Sequence, residues 1–215
     1  MGDIFQVPVV VVEQRSAALE YRISDGDDRD IGAADQAAGQ RPRTGFLALF
    51  GSGLGKSRLV VRVTDPGGGP LFFVDYQPGA PPAVVGPDGA VVGRMVKDRL
   101  GMARNMLPAG GNPLGAVLRT AVGMNPGMRH RLVDAAGRPL CALAWRMRWT
   151  GSGQNRRLRP MGCEYLGPNG QRLAHLNVRE GGFKDRYELR LMYDLPQPLR
   201  TLAVAVPLAF DLTRS

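Results

Sequence analysis

Leu199–Arg214 reads LRTLAVAVPLAFDLTR. From Leu202 to Phe210 the run has no charge and no polar face. A helix that is apolar all round must be buried, in protein or in a bilayer. Spanning a bilayer takes roughly 20 apolar residues. This block is about half that length, is interrupted by Pro207 and is closed by Asp211. The expected solution is a shell that the protein builds around its own C-terminus.

The chain upstream supplies strands for that shell. Four segments share one plan, apolar alternation on either side of a tight turn. They are 59–75 around Asp65-Pro66-Gly67-Gly68, 83–96 around Pro87-Asp88-Gly89, 130–149 around Asp134-Ala135-Ala136-Gly137, and 163–178 around Pro168-Asn169-Gly170. Asp-Gly and Asn-Gly are strong hairpin signals, because they accept positive φ at low cost. An N-terminal ribbon is expected at 5–12 and 19–24, with a third strand at 31–37 after the acidic turn 26–30. Segment 99–127, with Gly110-Gly111-Asn112-Pro113 at its centre, breaks the pattern and reads as a long irregular connection holding a helical turn or two. Its 215 residues, 29 Gly and 17 Pro fit one mainly β domain, a barrel over 1–215 with a central helix at 199–213.

Two strands show how inside and outside divide, since a period of two sends successive side chains to opposite faces. In 141–149, Cys141, Leu143, Trp145, Met147 and Trp149 are assigned to the core, and Ala142, Ala144, Arg146 and Arg148 to the surface. In 183–192, Phe183, Tyr187, Leu189 and Leu191 point in, while Lys184, Arg186, Glu188 and Arg190 point out. Cys141 then reads as a small buried hydrophobe.

Charge is unevenly placed. The net charge is +9, yet residues 1–93 carry 8 basic and 11 acidic side chains and residues 94–215 carry 20 and 8. Arg outnumbers Lys by 25 to 3, as in chains encoded by GC-rich genomes, but such a bias does not separate the two halves. The basic half calls for an anionic partner.

Motifs of chemistry are sparse. Gly51-Ser52-Gly53-Leu54-Gly55-Lys56-Ser57 resembles a phosphate-binding loop, but Phe50 stands where the leading glycine belongs. Such a loop must also open a helix whose N-terminus meets the phosphates, and the residues after it alternate as a strand. The carboxylates Asp25, Asp27, Asp28 and Asp30 lack the bidentate Glu of a calcium loop and read as a solvated turn. Two cysteines, Cys141 and Cys163, and two histidines, His130 and His175, have no metal-ligand spacing. Both histidines read as surface or half-buried strand residues. No nucleophile elbow or zinc-protease motif occurs. The expectation is a non-enzymatic protein with no cofactor and no metal. Its few cysteines and the lack of an apolar leader point to a reduced, cytoplasmic compartment.

The chain resembles the tubby C-terminal-like superfamily, which includes the LURP-one-related proteins and the phospholipid scramblases. Tyr21-Arg22-Ile23-Ser24-Asp25 followed by Ile31-Gly32-Ala33-Ala34-Asp35-Gln36 looks like its opening hairpin, and Gly86-Pro87-Asp88-Gly89 followed by Val92-Gly93-Arg94-Met95 like its D-G-x-x-I-G-R-I hairpin. The apolar C-terminal run looks like its core helix. The resemblance implies about twelve mostly antiparallel strands around one helix, and binding of phosphoinositides or other anionic lipid. No cysteine cluster for palmitoylation and no spanning helix accompany it, so lipid binding rather than scrambling is the expected inheritance.

The expected partner is therefore an anionic phospholipid head group at a membrane surface, with the protein peripheral and monomeric or weakly associating. Arg156, Arg157 and Arg159, placed on a 151–160 loop, are the candidates for bidentate phosphate contacts. Arg146, Arg148, Lys184, Arg186 and Arg190 are expected to form the adjoining wall. Two alternatives use the same basic half: a nucleic-acid-binding barrel, and a protein scaffold engaging partners through 99–127. Against nucleic acid, the aromatic residues fall mostly on inward faces and leave no exposed stacking platform.

Overall fold

The computed structural model describes residues 3–16, 18–39, 57–98, 128–152, 157–181 and 184–214, with the backbone alone for Arg157, Glu180 and Arg214. Its strands are β1 (Val9–Ser16), β2 (Glu20–Asp25), β3 (Asp30–Gly39), β4 (Leu59–Thr64), β5 (Pro70–Tyr76), β6 (Ala83–Val85), β7 (Val91–Lys97), β8 (Arg129–Asp134), β9 (Pro139–Thr150), β10 (Arg157–Leu166), β11 (Arg172–Glu180) and β12 (Asp185–Leu191). One helix, α1 (Leu199–Arg214), comes after them. Each strand pairs antiparallel with the next, and β12 returns to β1, so the sheet closes into a twelve-stranded up-and-down barrel. Val10 lies opposite Leu189 and Val12 opposite Tyr187 at the seam.

Turn chemistry and alternation account for the wall. Gly89 and Gly170 sit at φ +84° and +76°, which the Asp-Gly and Asn-Gly turns require. All four expected hairpins are present. Along β4, Leu59, Val61 and Val63 are buried while Arg62 is exposed. Arg62 pairs outside with Asp35, its register partner on β3, at 2.9 Å. Arg22 likewise holds Asp28 and Asp30 across the acidic turn. A transmembrane barrel carries an apolar outer band. This wall is built the other way round, with cross-strand ion pairs outside and aliphatic side chains within. Among the described residues no helix is long and apolar enough to cross a membrane.

Helix α1 fills the barrel. Leu202, Val204, Val206, Leu208, Phe210 and Leu212 are each 0–1% exposed. Just ahead of the helix, Gln197 Oε1 accepts from the Thr201 amide at 3.3 Å and the Thr201 hydroxyl at 2.8 Å. The helix passes so close to β7 that a Cβ on Gly93 would stand 2.2 Å from the Val133 carbonyl and 2.8 Å from Leu202 Cδ1. Gly93 therefore sets the distance between helix and wall. Near the far end the Trp145 and Phe210 rings stack with centroids 3.6 Å apart.

Pro207 has a specific compensation. Lacking an N–H, it leaves the carbonyl four residues back, that of Ala203, without its helical donor. The Tyr165 hydroxyl donates to that oxygen from β10 at 3.3 Å. Tyr165→Phe keeps the shape and strands the acceptor in a dry core, so a loss of about 1–3 kcal/mol in urea unfolding is expected. An unchanged midpoint would show that Ala203 O finds another donor.

Three expectations need correction. The 151–160 loop is not one: β10 begins at Arg157, which is the register partner of Thr150, and Arg159 pairs with Arg148. Trp149 has the inward parity assigned to it, but it is 51% exposed; among the described residues the register of β8 with β9 ends at Ala144. His130 is 3% exposed, a core residue rather than a surface or half-buried one. The strand at 46–50 and the phosphate-loop-like motif up to Lys56 lie outside the described residues, as do 99–127, Arg156 and Phe183. The next element in the chain is strand β4, paired with β3 and β5, where a phosphate loop needs a helix.

Candidate functional site

The barrel interior holds a small set of buried polar groups. Asp211, on the last turn of α1, accepts from the Tyr21 hydroxyl at 2.6 Å and the Tyr187 hydroxyl at 2.8 Å. A carboxylate at a helix C-terminus opposes the dipole, and two charge-assisted donors hold it in place. Burial, then the Asp211 charge, pushes the Tyr21 phenol well above its ordinary range. Burial likewise raises Cys141 to about 12 and Cys163 well above the usual thiol range. Thiols so raised are poor nucleophiles. The Tyr21–Asp211–Tyr187 set fastens helix to wall.

His130 lies beside this core, edge-on to Trp145 at 6.4 Å between centroids. Burial first, then the Lys97 charge, lowers its proton affinity to about 4. The unfolded chain binds a proton near 6.5 and the native state only near 4, so stability falls as pH drops through that window. The loss approaches about 3 kcal/mol. Denaturant midpoints taken at pH 7 and pH 4 should show it, and His130→Leu should remove it. A wild-type midpoint that is flat from pH 7 to pH 4 would contradict the burial of a neutral ring.

The outer face of β9–β12 gathers the basic residues. Arg146 and Arg148 point outward from β9, and a period of two carries the pattern into β10, β11 and β12. Arg148 stands directly opposite Arg159, and Arg179 directly opposite Arg186. Arg146 faces Gly162, where a Cβ would approach its guanidinium to 3.0 Å. The missing side chain lets that guanidinium lie against the sheet and reach to 3.4 Å from His175 Nε2. His175 Nδ1 bonds Glu164 Oε1 at 2.8 Å and Nε2 bonds Asn177 Oδ1 at 2.7 Å. Arg172 holds the other Glu164 oxygen at 2.8 Å. The face is thus rich in N–H donors, with its described carboxylates Glu164 and Glu188 each held by an arginine.

The candidate residues divide on this surface. Arg146, Arg148 and Arg159 come together on β9 and β10. Arg186 and Arg190 sit two strands away on β12 and are partly spent, Arg186 on Glu13 at 3.0 Å and Arg190 on Glu188 at 3.4 Å. Both also line a 450 Å³ concavity with Asp25, Asp27 and Glu188, whose carboxylates oppose an anion. Lys184 is exposed just before β12. The side chain of Arg157 and all of Arg156 lie outside the described residues. Sequence reasoning missed Arg179, His175 and Asn177, which bridge the two groups from β11. Alternation along β11 marks them, since Ala174, Leu176 and Val178 are the buried set.

Exposed aromatic surface was also missed: Trp149 is 51% and Tyr193 61% exposed. Among the described residues no group of three His, Cys, Asp or Glu side chains is placed to hold a metal ion. No family model matches the chain, and neither does any curated protein or solved structure.

Proposed function

We propose that this protein is a non-enzymatic peripheral binding protein that holds phosphorylated, anionic lipid head groups on the outer face of β9–β11. One observation carries the reading: two pairs of arginines stand directly opposite each other, Arg148 with Arg159 and Arg179 with Arg186. Like charges directly opposite across strands destabilise a sheet, a cost that Glu13 already offsets in part at Arg186. Phosphate lying over them turns that cost into bidentate hydrogen bonds. The twelve strands around one apolar helix are also the layout implied by the resemblance to the tubby C-terminal-like superfamily, where several members bind anionic lipid. That family reading remains part of the proposal.

Replacing the exposed Arg146, Arg148 and Arg179 together by Gln tests it. Each basic residue near an anionic surface contributes about 1 kcal/mol, so partitioning onto phosphatidylserine-containing vesicles should fall on the order of a hundredfold. The wild-type affinity should itself shrink with salt, since exposed charges are screened beyond about 10 Å at 0.1 M. Thermal stability should hold or rise slightly, because cross-strand repulsion is relieved. Wild type that ignores these vesicles at low salt would refute the reading. A DNA gel shift at matched salt, lost in the triple variant, would put nucleic acid in the place of lipid.

A further inference from the structure

Arg200, the second residue of α1, is 3% exposed. A guanidinium is a fork of N–H donors with no acceptor. Among the described residues this one has a single acceptor, the Val7 carbonyl, 2.6 Å from Nη2. Its Nε is buried without a partner, and no carboxylate is bonded to it. Burying an uncompensated charge is costly, and a cation in the first turn also opposes the helix dipole. An apolar side chain would serve the plug better. Capping is not the reason for it either. The amides of Arg200, Thr201 and Leu202 have their acceptors in Pro196 O, Gln197 Oε1 and Pro198 O.

The guanidinium lines a 430 Å³ concavity where the N-terminal segment, the end of β12 and the start of α1 meet. Backbone bonds hold its walls, from the Leu191 amide to the Pro8 carbonyl at 2.8 Å and from the Met192 amide to the Leu173 carbonyl at 2.9 Å. Phe5, Leu191, Met192 and Tyr193 give it an apolar lining. Met192 and Tyr193 are 43% and 61% exposed, two of the five large hydrophobic side chains exposed in the described chain. Asp194 lines the same concavity. Burial weakens the hold of Arg200 on its proton, and the nearby Asp194 charge restores part of it without an ion pair being formed. Two opposite charges thus line one cavity and do not meet.

We propose that this cavity binds a small zwitterion with an apolar body, of the α-amino-acid type. Its carboxylate meets Arg200, its ammonium meets Asp194, and its side chain packs against Phe5, Leu191 and Met192. The charges select this class. Asp194 would oppose a lone anion, and Arg200 would oppose a lone cation. A neutral apolar ligand would seal the guanidinium in with its donors still unmet, which costs free energy. A zwitterion answers both charges at once, and a carboxylate matches the planar fork of an arginine. The volume lies in the range of small-molecule sites, roughly 300–1,000 Å³. None of the arginines assigned to lipid takes part, so the site stands independently of that reading.

Calorimetric titration of the full-length protein with L-leucine, L-methionine and L-phenylalanine tests this. At least one should bind at millimolar concentration or below and raise the thermal midpoint, since a ligand held by the native state stabilises it. Its deamino acid and its decarboxylated amine, each lacking one charge, should bind about tenfold or more weakly, the usual effect of losing a charge-assisted contact. Asp194 is exposed, so Asp194→Asn should melt as wild type does and lose affinity by about the same factor. Arg200→Met should abolish binding while thermal stability holds or rises, because a buried unpaired charge is removed. If none of the three amino acids binds at millimolar concentration, the proposal is overturned. Equal affinity in wild type and Asp194→Asn, or a deamino acid that binds as tightly as its parent, overturns it as well.

Discussion

Removing the residues after Pro198 should leave a chain that does not fold. The six large side chains of α1 buried to 0–1% exposure, Leu202, Val204, Val206, Leu208, Phe210 and Leu212, all leave with it. Each contributes roughly 1.5–3 kcal/mol by burial, and a domain's whole net stability is about 5–15 kcal/mol. The wall loses its partner too: Val61, Leu143, Trp145 and Leu189, now 0–2% exposed, would face a water-filled lumen. The Tyr21 and Tyr187 hydroxyls would lose Asp211 as acceptor. Expression in inclusion bodies, or a soluble chain without near-ultraviolet dichroism, is the expected result. A truncated protein that is soluble and shows native strand signal and a cooperative melt would mean that the barrel stands without its plug.

Alkaline pH should unfold the protein steeply. Burial raises Tyr21 and Tyr165 well above the ordinary phenol range, Cys141 to about 12 and Cys163 well above the usual thiol range. In the unfolded chain the thiols ionise near 8.5 and the phenols near 10. Above those values the native state binds more protons than the unfolded state, so stability falls as pH rises. These four groups are stable contributors below pH 8.5, and all act together above about pH 10. The slope then approaches about 5 kcal/mol per pH unit. Denaturant midpoints at pH 8, 10 and 11 should therefore drop sharply, with the tyrosinate absorbance appearing together with the loss of near-ultraviolet dichroism. Tyrosinate forming ahead of unfolding, or thiols that react with a disulfide reagent in the native state, would contradict this burial.

Much of the architecture is legible without coordinates because it rests on local rules. Asp88-Gly89 and Asn169-Gly170 demand positive φ and place two hairpins. Alternation in 141–149 assigns Cys141, Leu143 and Trp145 to the inside, where they are 0–4% exposed. The same rule put Trp149 inside as well, and it failed there because alternation reports parity and not depth. Whether an inward-facing position is covered depends on how far the neighbouring strands extend, and among the described residues their pairing with β9 and β10 ends short of it. His130 was misplaced for a related reason: in the sequence a histidine looks polar, but its position faces Leu143 on the inner wall.

The basic face was half legible. Arg146 and Arg148 follow from the parity of β9, whereas Arg179 was overlooked although β11 alternates as plainly. The pairing of Arg148 with Arg159 has no local signature, since register depends on a bulge between Pro160 and Gly162. Neither does the capture of Arg186 by Glu13, 173 residues away in the chain.

By itself the sequence determined that an apolar run too short for a bilayer must be enclosed, that paired strands would enclose it, and that the second half would be basic. Those conclusions need only periodicity, turn stereochemistry and the cost of wetting apolar surface. Tertiary structure alone decided which distant groups complete one another: Tyr165 with the carbonyl that Pro207 orphans, Tyr21 and Tyr187 with Asp211, and arginine with arginine across β9 and β10. Such pairings are set by strand register and by the rotation of the helix within the barrel. Both arise from packing the whole chain at once, and no local stretch of sequence encodes them.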